Sequence, residues 1–469
     1  MKTVLINPPI TSQERYGSIV KDGGGRQAPL GICFVAAVLR KNNFPVSVID
    51  AEGENLTYKD IMERLRNENA DIVGITSTTV AFHRSLELAK SIRKFDKNIT
   101  IIIGGSHVSA MPEMTMKYDC FDIGAYGEAE YTFLELAQKV SNNDDWKNID
   151  GIVYNDNGKI VKTLPRPLIA DLDELPYPAI DLLSNLDLYN PPPMNYLNKP
   201  VLSVVTSRGC PNQCIFCDHS VFGNKYRYHS AKRIVEEIKH LIKEYGAKEI
   251  SIVDDNFTVN KNRVYEFCDL MIKNRVKIPW NARISANTVS KDMLKKMREA
   301  GCWYLEIGIE TGSPKVLKDI KKGTTHDKIS EMVKYADELG YHVKGFFMIG
   351  HPTDTEKSIR QTIDYAKSIP LTDIVTTIFT PFYNTQAYEE AKTHGRFLYK
   401  QDWTKLSTWE VVFVPKGLTK KKLQYYWKQM YREFYFRPIT LWRHLKQIRN
   451  WTAVKRYLRG AKVAVKLLF

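Results

Sequence analysis

Val201-Leu-Ser-Val-Val-Thr206 runs directly into Ser207-Arg208-Gly209-Cys210-Pro211-Asn212-Gln213-Cys214-Ile215-Phe216-Cys217. The first part is a short apolar run and reads as a strand. The loop after it holds three of the chain's seven cysteines, spaced Cys-x3-Cys-x2-Cys. Further strand patterns follow at 250–253, 280–284, 304–309, 343–348 and 374–379. Helical patterns separate them near 231–244, 261–274, 290–300, 325–340 and 355–368. These β-α repeats predict an α/β fold with a partial (β/α)6 TIM-like barrel. Its functional groups belong at the C-terminal ends of the strands. The cysteine loop obeys that rule.

Residues 1–150 show a second α/β rhythm. Strand patterns at 4–6, 46–50, 72–76 and 101–103 precede helical patterns near 29–41, 58–67, 82–95 and 110–118, and a helix over 128–140 closes the unit. This predicts an open, Rossmann-like parallel sheet whose ligands bind beyond the carboxyl ends of its strands. Residues 151–195 read as a hairpin around Asn155-Asp156-Asn157-Gly158 and a proline-rich linker. The barrel occupies 196–400. Residues 401–469 lack the rhythm and predict a basic, aromatic helical region.

With 469 residues, the chain is long enough for two or three domains. Seven cysteines are too few for a disulfide scaffold and suit a reduced, cytoplasmic setting. The first ten residues resemble a short strand ending in prolines rather than a signal peptide. No apolar run is long enough to span a bilayer. The net charge of +15 is uneven, with fourteen Lys or Arg after residue 419 against one acid, Glu433.

On spacing alone the three cysteines suit either zinc, with His219 as a fourth ligand, or an iron–sulfur cluster. The motif and its place after the first barrel strand resemble the radical S-adenosylmethionine (radical SAM) enzymes. The resemblance implies a [4Fe–4S] cluster on Cys210, Cys214 and Cys217, with S-adenosylmethionine on the open iron. Its reductive cleavage yields a 5′-deoxyadenosyl radical that takes hydrogen from an unactivated carbon. Phe216 is expected beside the cofactor. Asp254 and Asp255 after the second strand are expected to help hold the methionine amino group, or else to cap a helix. Arg283 and Ser285 end the third strand, where an arginine can pair with the cofactor carboxylate. Glu310 is expected at the ribose hydroxyls, with Gly308 admitting close backbone approach. Met348 and Ile349 are expected to line the adenine, His351 to orient a backbone group, and Tyr383 to face substrate.

The N-terminal unit resembles the cobalamin-binding (B12) domain that precedes many radical SAM barrels. Asn7-Pro-Pro9, Pro29-Leu-Gly-Ile-Cys33, the 71–77 stretch ending in Ser77, Gly104-Gly-Ser-His107 and Gly124-Ala-Tyr-Gly-Glu-Ala-Glu130 carry the resemblance. It implies cobalamin, with Gly104 and Gly105 letting the corrin approach and His107 near the ring or its tail. No Asp-x-His-x-x-Gly motif supplies a cobalt ligand.

Cobalamin beside a radical generator implies methylation of an unactivated carbon, on a small, hydrophobic or natural-product substrate, with flavodoxin or ferredoxin as electron donor. The same architecture also serves cyclisation or rearrangement of lipids and tetrapyrroles. A zinc-stapled, non-enzymatic adaptor is a third possibility. For the tail, peripheral membrane contact ranks just above packing on the barrel, and nucleic acid ranks last. Leu441, Leu445, Ile448 and Trp451 share one helical face.

Overall fold

A computed structural model describes residues 1–20, 23–399 and 402–446. Ile448, Trp451 and Tyr457 of the tail lie outside the described residues. The N-terminal sheet contains β1 (Thr3–Asn7), β2 (Val46–Asp50), β3 (Ile72–Thr76), β4 (Thr100–Gly104), β5 (Ile123–Ala125), β6 (Ile152–Asp156) and β7 (Lys159–Lys162). Its order is β2-β1-β3-β4-β5-β6-β7, parallel as far as β5 and antiparallel beyond. The hairpin expected as part of a linker is therefore the edge of this sheet. The short β5 escaped the sequence reading. The helix expected over 110–118 is split into Ser106–Ala110 and Pro112–Thr115. Pro112 accounts for the break, because a residue before proline is pushed out of the helical region. Met111 accordingly has φ −141° and ψ 55°.

The barrel sheet contains β8 (Val201–Val204), β9 (Glu249–Ile252), β10 (Trp280–Ile284), β11 (Cys302–Glu310), β12 (His342–Ile349) and β13 (Asp373–Ile378), all parallel and in sequential order. The hydrophobic core is continuous between the two sheets. Leu5 and Ile32 of the first unit, Ala179 and Ile180 of the connecting segment and Leu202 and Ile250 of the barrel belong to one cluster.

An open barrel leaves an edge strand, here β13, which would otherwise invite pairing with another chain. The helix Lys420–Tyr435 covers it. Trp427 Nε1 donates to the Thr376 carbonyl (2.8 Å), and the Tyr431 hydroxyl accepts from Thr376 N–H (2.9 Å). This part of the aromatic tail packs on the barrel. The next helix, Pro438–Lys446, has the opposite polarity. Thr440 is buried and Arg443 bonds inward to the Pro370 carbonyl and Asp337, while Ile439, Leu441, Trp442 and Leu445 are at least half exposed. Among the described residues no helix is long and apolar enough to cross a membrane.

Candidate functional site

The junction between β8 and the cysteine loop is fixed from the end of β9. Asp254 accepts from Thr206 N–H (2.6 Å), Ser207 N–H (3.0 Å) and both hydroxyls of those residues. Its two oxygens are thus spent on the loop, so Asp254 braces the site from below. Gly209 has φ +79°, and a Cβ there would lie 2.5 Å from the Lys225 carbonyl, so the turn before Cys210 requires glycine. Farther along, Ile215 N–H donates to the Ile320 carbonyl (3.2 Å) and its own carbonyl accepts from Ala387 N–H (2.9 Å).

This framework presents Cys210 half-buried, Cys214 buried and Cys217 exposed. A hydrogen bond with Cys217 draws the Cys214 thiol down to about 7, with Lys322 aiding it against burial. The same bond pushes the Cys217 thiol up. Among the described residues no three His, Cys, Asp or Glu side chains stand together as a site for one metal ion. Cys33, Cys120, Cys268 and Cys302 are buried, as their apolar surroundings predict.

Around the loop, the barrel mouth holds polar groups that lack protein partners. Ser285 Oγ, Asn256 Nδ2 and both ring nitrogens of His351 are buried without a hydrogen bond. Each such group costs roughly 1–3 kcal/mol. They follow β10, β9 and β12, so these three residues share one end of the barrel, where bound groups can supply the missing partners. His351 therefore orients no backbone group through its ring, contrary to expectation. It lies 6.0 Å from the Phe216 ring and 5.6 Å from Phe379, and burial lowers it to about 3.

Arg283 Nε donates to Glu306 on the adjacent strand (3.0 Å). Asp255 is reachable by solvent, yet protein crowds it enough that desolvation, and then Asp254, raises its carboxyl against the pull of Arg283. Glu310 ends β11 with φ +68°, a conformation rare for a side chain of its size, and accepts from Lys322 Nζ at 2.6 Å. A Cβ at Gly308 would lie 2.6 Å from Glu310 Oε1 and from Lys322 Nζ, the movable ends of that pair. Met348 packs in the cluster that includes Phe216, whereas Ile349 faces the main core and is 1% exposed. Successive strand residues point to opposite faces, so the two cannot line one slot. Tyr383 joins an aromatic wall, 4.4 Å from the Tyr388 ring and 5.1 Å from Trp403.

In the N-terminal unit, a cavity of about 270 Å³ opens at the strand ends, lined by Asn7, Arg15, Arg26, Glu52, Thr76 and Thr78 among others. Ser77, Gly104, Gly105 and His107 do not line it. His107 is 1% exposed and stacks on Phe82 at 3.9 Å. Gly105 is required by the protein itself, since a Cβ at its φ of +98° would meet the Ser77 carbonyl at 2.6 Å. Gly104 is different, as a Cβ there would meet only the Ala125 carbonyl and side chain, at 3.5 and 3.9 Å. The small residues there fit a flat ligand at Gly104 more readily than at Gly105.

The sequence reading missed a buried charge cluster that joins the two units. Arg208, two residues before Cys210, donates to Glu128 (2.9 Å) and Glu130 (2.6 Å), and Arg227 donates to Glu128 (2.7 Å). All four side chains are at most 6% exposed. Lys322 was also missed, because Lys321-Lys322-Gly323 reads as a solvated turn.

Family profiles for the Radical SAM superfamily and the B12 binding domain match residues 204–366 and 18–137. The chain is 36% identical to an uncharacterised methyltransferase of Pyrococcus horikoshii, covering 98% of both proteins. It is 25% identical to the anaerobic magnesium-protoporphyrin IX monomethyl ester cyclase of Cereibacter sphaeroides, covering 93% of this chain and 71% of that one. Its fold matches OxsB, a cobalamin-dependent S-adenosylmethionine radical enzyme, with a TM-score of 0.78 at 17% identity over 99% of this chain and 71% of that one. This chain therefore belongs to the cobalamin-dependent radical SAM enzymes, whose cofactors are a [4Fe–4S] cluster, S-adenosylmethionine and cobalamin.

Proposed function

We propose that the chain is a C-methyltransferase acting on an unactivated carbon of a hydrophobic or natural-product substrate. The observation that carries this reading is the buried Arg208–Glu128–Glu130 cluster, which ties the cysteine loop to the cobalamin-binding unit. It supports an arrangement in which both cofactors serve one substrate, held in place between them. When bound, these cofactors supply a 5′-deoxyadenosyl radical and a transferable methyl group.

Cys210, Cys214 and Cys217 hold the cluster. Arg283 and Ser285 receive the charged and polar ends of the methionine moiety, with Asp255 at the amino group. Glu310 takes the ribose hydroxyls, and Phe216 and Met348 form an apolar wall. Tyr383 and its aromatic neighbours face substrate and exclude water. Residues 1–150, with the hairpin 152–162 that completes their sheet, form the cobalamin unit, 196–400 the radical SAM unit and 401–469 the tail. The test is anaerobic incubation of the cobalamin-loaded protein with S-adenosylmethionine, reductant and a cell extract, read by mass spectrometry. Gain of one CH2 by an extract component supports methylation. Loss of hydrogens at constant carbon count supports the cyclase reading, which the Cereibacter sphaeroides relative favours.

Radical SAM enzymes take a substrate and a reductant; here we propose a flavodoxin or ferredoxin as donor. We also propose peripheral contact with the inner face of an anionic membrane, because Ile439, Leu441 and Leu445 are 50–60% exposed beside a basic tail. Co-sedimentation with phosphatidylserine vesicles, lost in an L441E/L445E double variant, is expected. Equal binding by that variant contradicts the membrane proposal.

A further inference from the structure

We propose that Lys322 is a positioning residue of the radical-generating site, holding Glu310 in place and setting the reduction potential of a cluster on Cys210, Cys214 and Cys217. The proposal rests on the functional reading above. Three unrelated features of the sequence meet at this lysine. Glu310 sits at φ +68°, a strained conformation that persists only where surrounding contacts enforce it. A Cβ at Gly308 would lie 2.6 Å from both members of the ion pair, so the pair sits directly over this glycine. The Lys322 side chain is only 11% exposed, with its Nζ 2.6 Å from Glu310 Oε1.

The loop carrying Lys322 is also tied to the cysteine loop. Ile215 N–H, between Cys214 and Cys217, donates to the Ile320 carbonyl two residues before Lys322. The two loops wall a common cleft of about 920 Å³, with Pro211, Asn212 and Gln213 on one side and Lys318, Lys321 and Lys322 on the other. A cation held across the cleft from the cysteine loop favours the added electron. Net charge and hydrogen bonding are among the factors that set iron–sulfur potentials.

Lys322 and Glu310 then have opposite effects on the potential, which a merely structural ion pair does not predict. The experiment is a redox titration, followed by electron paramagnetic resonance, of the reconstituted full chain and its Lys322→Met, Lys322→Arg and Glu310→Gln variants, with iron content and S-adenosylmethionine affinity measured alongside. We expect Lys322→Met to move the potential negative and weaken S-adenosylmethionine binding roughly tenfold. Lys322→Arg should restore the potential, and Glu310→Gln should move it positive. Equal potentials in all four proteins, or shifts of the same sign in Lys322→Met and Glu310→Gln, would overturn the proposal. If Lys322→Met fails to hold iron, Lys322→Arg and Glu310→Gln still decide: no positive shift in Glu310→Gln sinks it. A wild-type protein without cluster or cleavage would instead overturn the functional reading, and this proposal with it.

Discussion

The barrel mouth and the cavity at the N-terminal strand ends treat their polar groups in opposite ways. At the barrel mouth, Ser285, Asn256 and His351 have buried polar atoms without protein partners. Around the N-terminal cavity, Arg15 is paired with Glu52, Asn7 donates to Asp50 (2.7 Å), and Arg26 donates to the Gly53 carbonyl (2.8 Å). Under the proposed function, the ligand supplies the partners that the groups at the mouth lack. The N-terminal cavity is small, and Arg15, Asn7 and Arg26 in its lining are paired within the protein. The two sites should therefore differ in how ligand binding and stability respond to substitution.

The most disruptive test separates the two regions outright. Cys214→Ala should abolish reductive cleavage of S-adenosylmethionine, assayed as 5′-deoxyadenosine, yet leave cobalamin uptake near wild type. Loss of both would show that the sites are not independent. Next in size, Arg208→Met removes the guanidinium between the units and leaves Glu130 buried without it. Breaking such a pair costs about 3–5 kcal/mol, measurable by denaturant unfolding. A change within 0.5 kcal/mol, about what a surface substitution produces, would deny the cluster its joining role.

Ser285→Ala sharpens the contrast through a change of sign. Removing an unsatisfied buried hydroxyl should stabilise the ligand-free protein by about 1 kcal/mol, while S-adenosylmethionine binds more weakly. Tighter or unchanged binding would place Ser285 outside the ligand's reach. A further test concerns pH. Burial lowers His107 and His351 to about 3, below the ordinary histidine value of 6.5. The unfolded chain thus binds the proton first, and stability falls as pH drops from 6.5 towards 3, by about 1.4 kcal/mol per unit for each histidine. His107→Phe, which keeps an aromatic ring against Phe82, should flatten this dependence by one histidine's share in pH-dependent thermal unfolding. An unchanged slope would contradict the burial of His107.

Much of the fold was legible because the strands are short β-branched runs between helices. The expected limits 46–50, 72–76 and 280–284 coincide with β2, β3 and β10. The strand β5, only three residues long and centred on Gly124, carries too little pattern to register. The cysteine loop was legible because its chemistry is local, set by spacing within eight residues. The charge pairs were not. Glu128 and Arg208 lie 80 positions apart, and Glu310 and Lys322 are brought together by a turn and a left-handed φ that no periodicity reports. Ile349 was misassigned because an apolar strand residue looks the same from either face, and only the alternation observed on β12 separates it from Met348.

The central claim is that one chain holds a radical generator and a corrin in working contact. The most direct measurement is anaerobic reconstitution with iron, sulfide and cobalamin, followed by metal analysis and reductive incubation with S-adenosylmethionine. The account predicts a brown protein with about four irons and one cobalt per chain that releases 5′-deoxyadenosine. A colourless protein that takes up only zinc and leaves S-adenosylmethionine intact would contradict it.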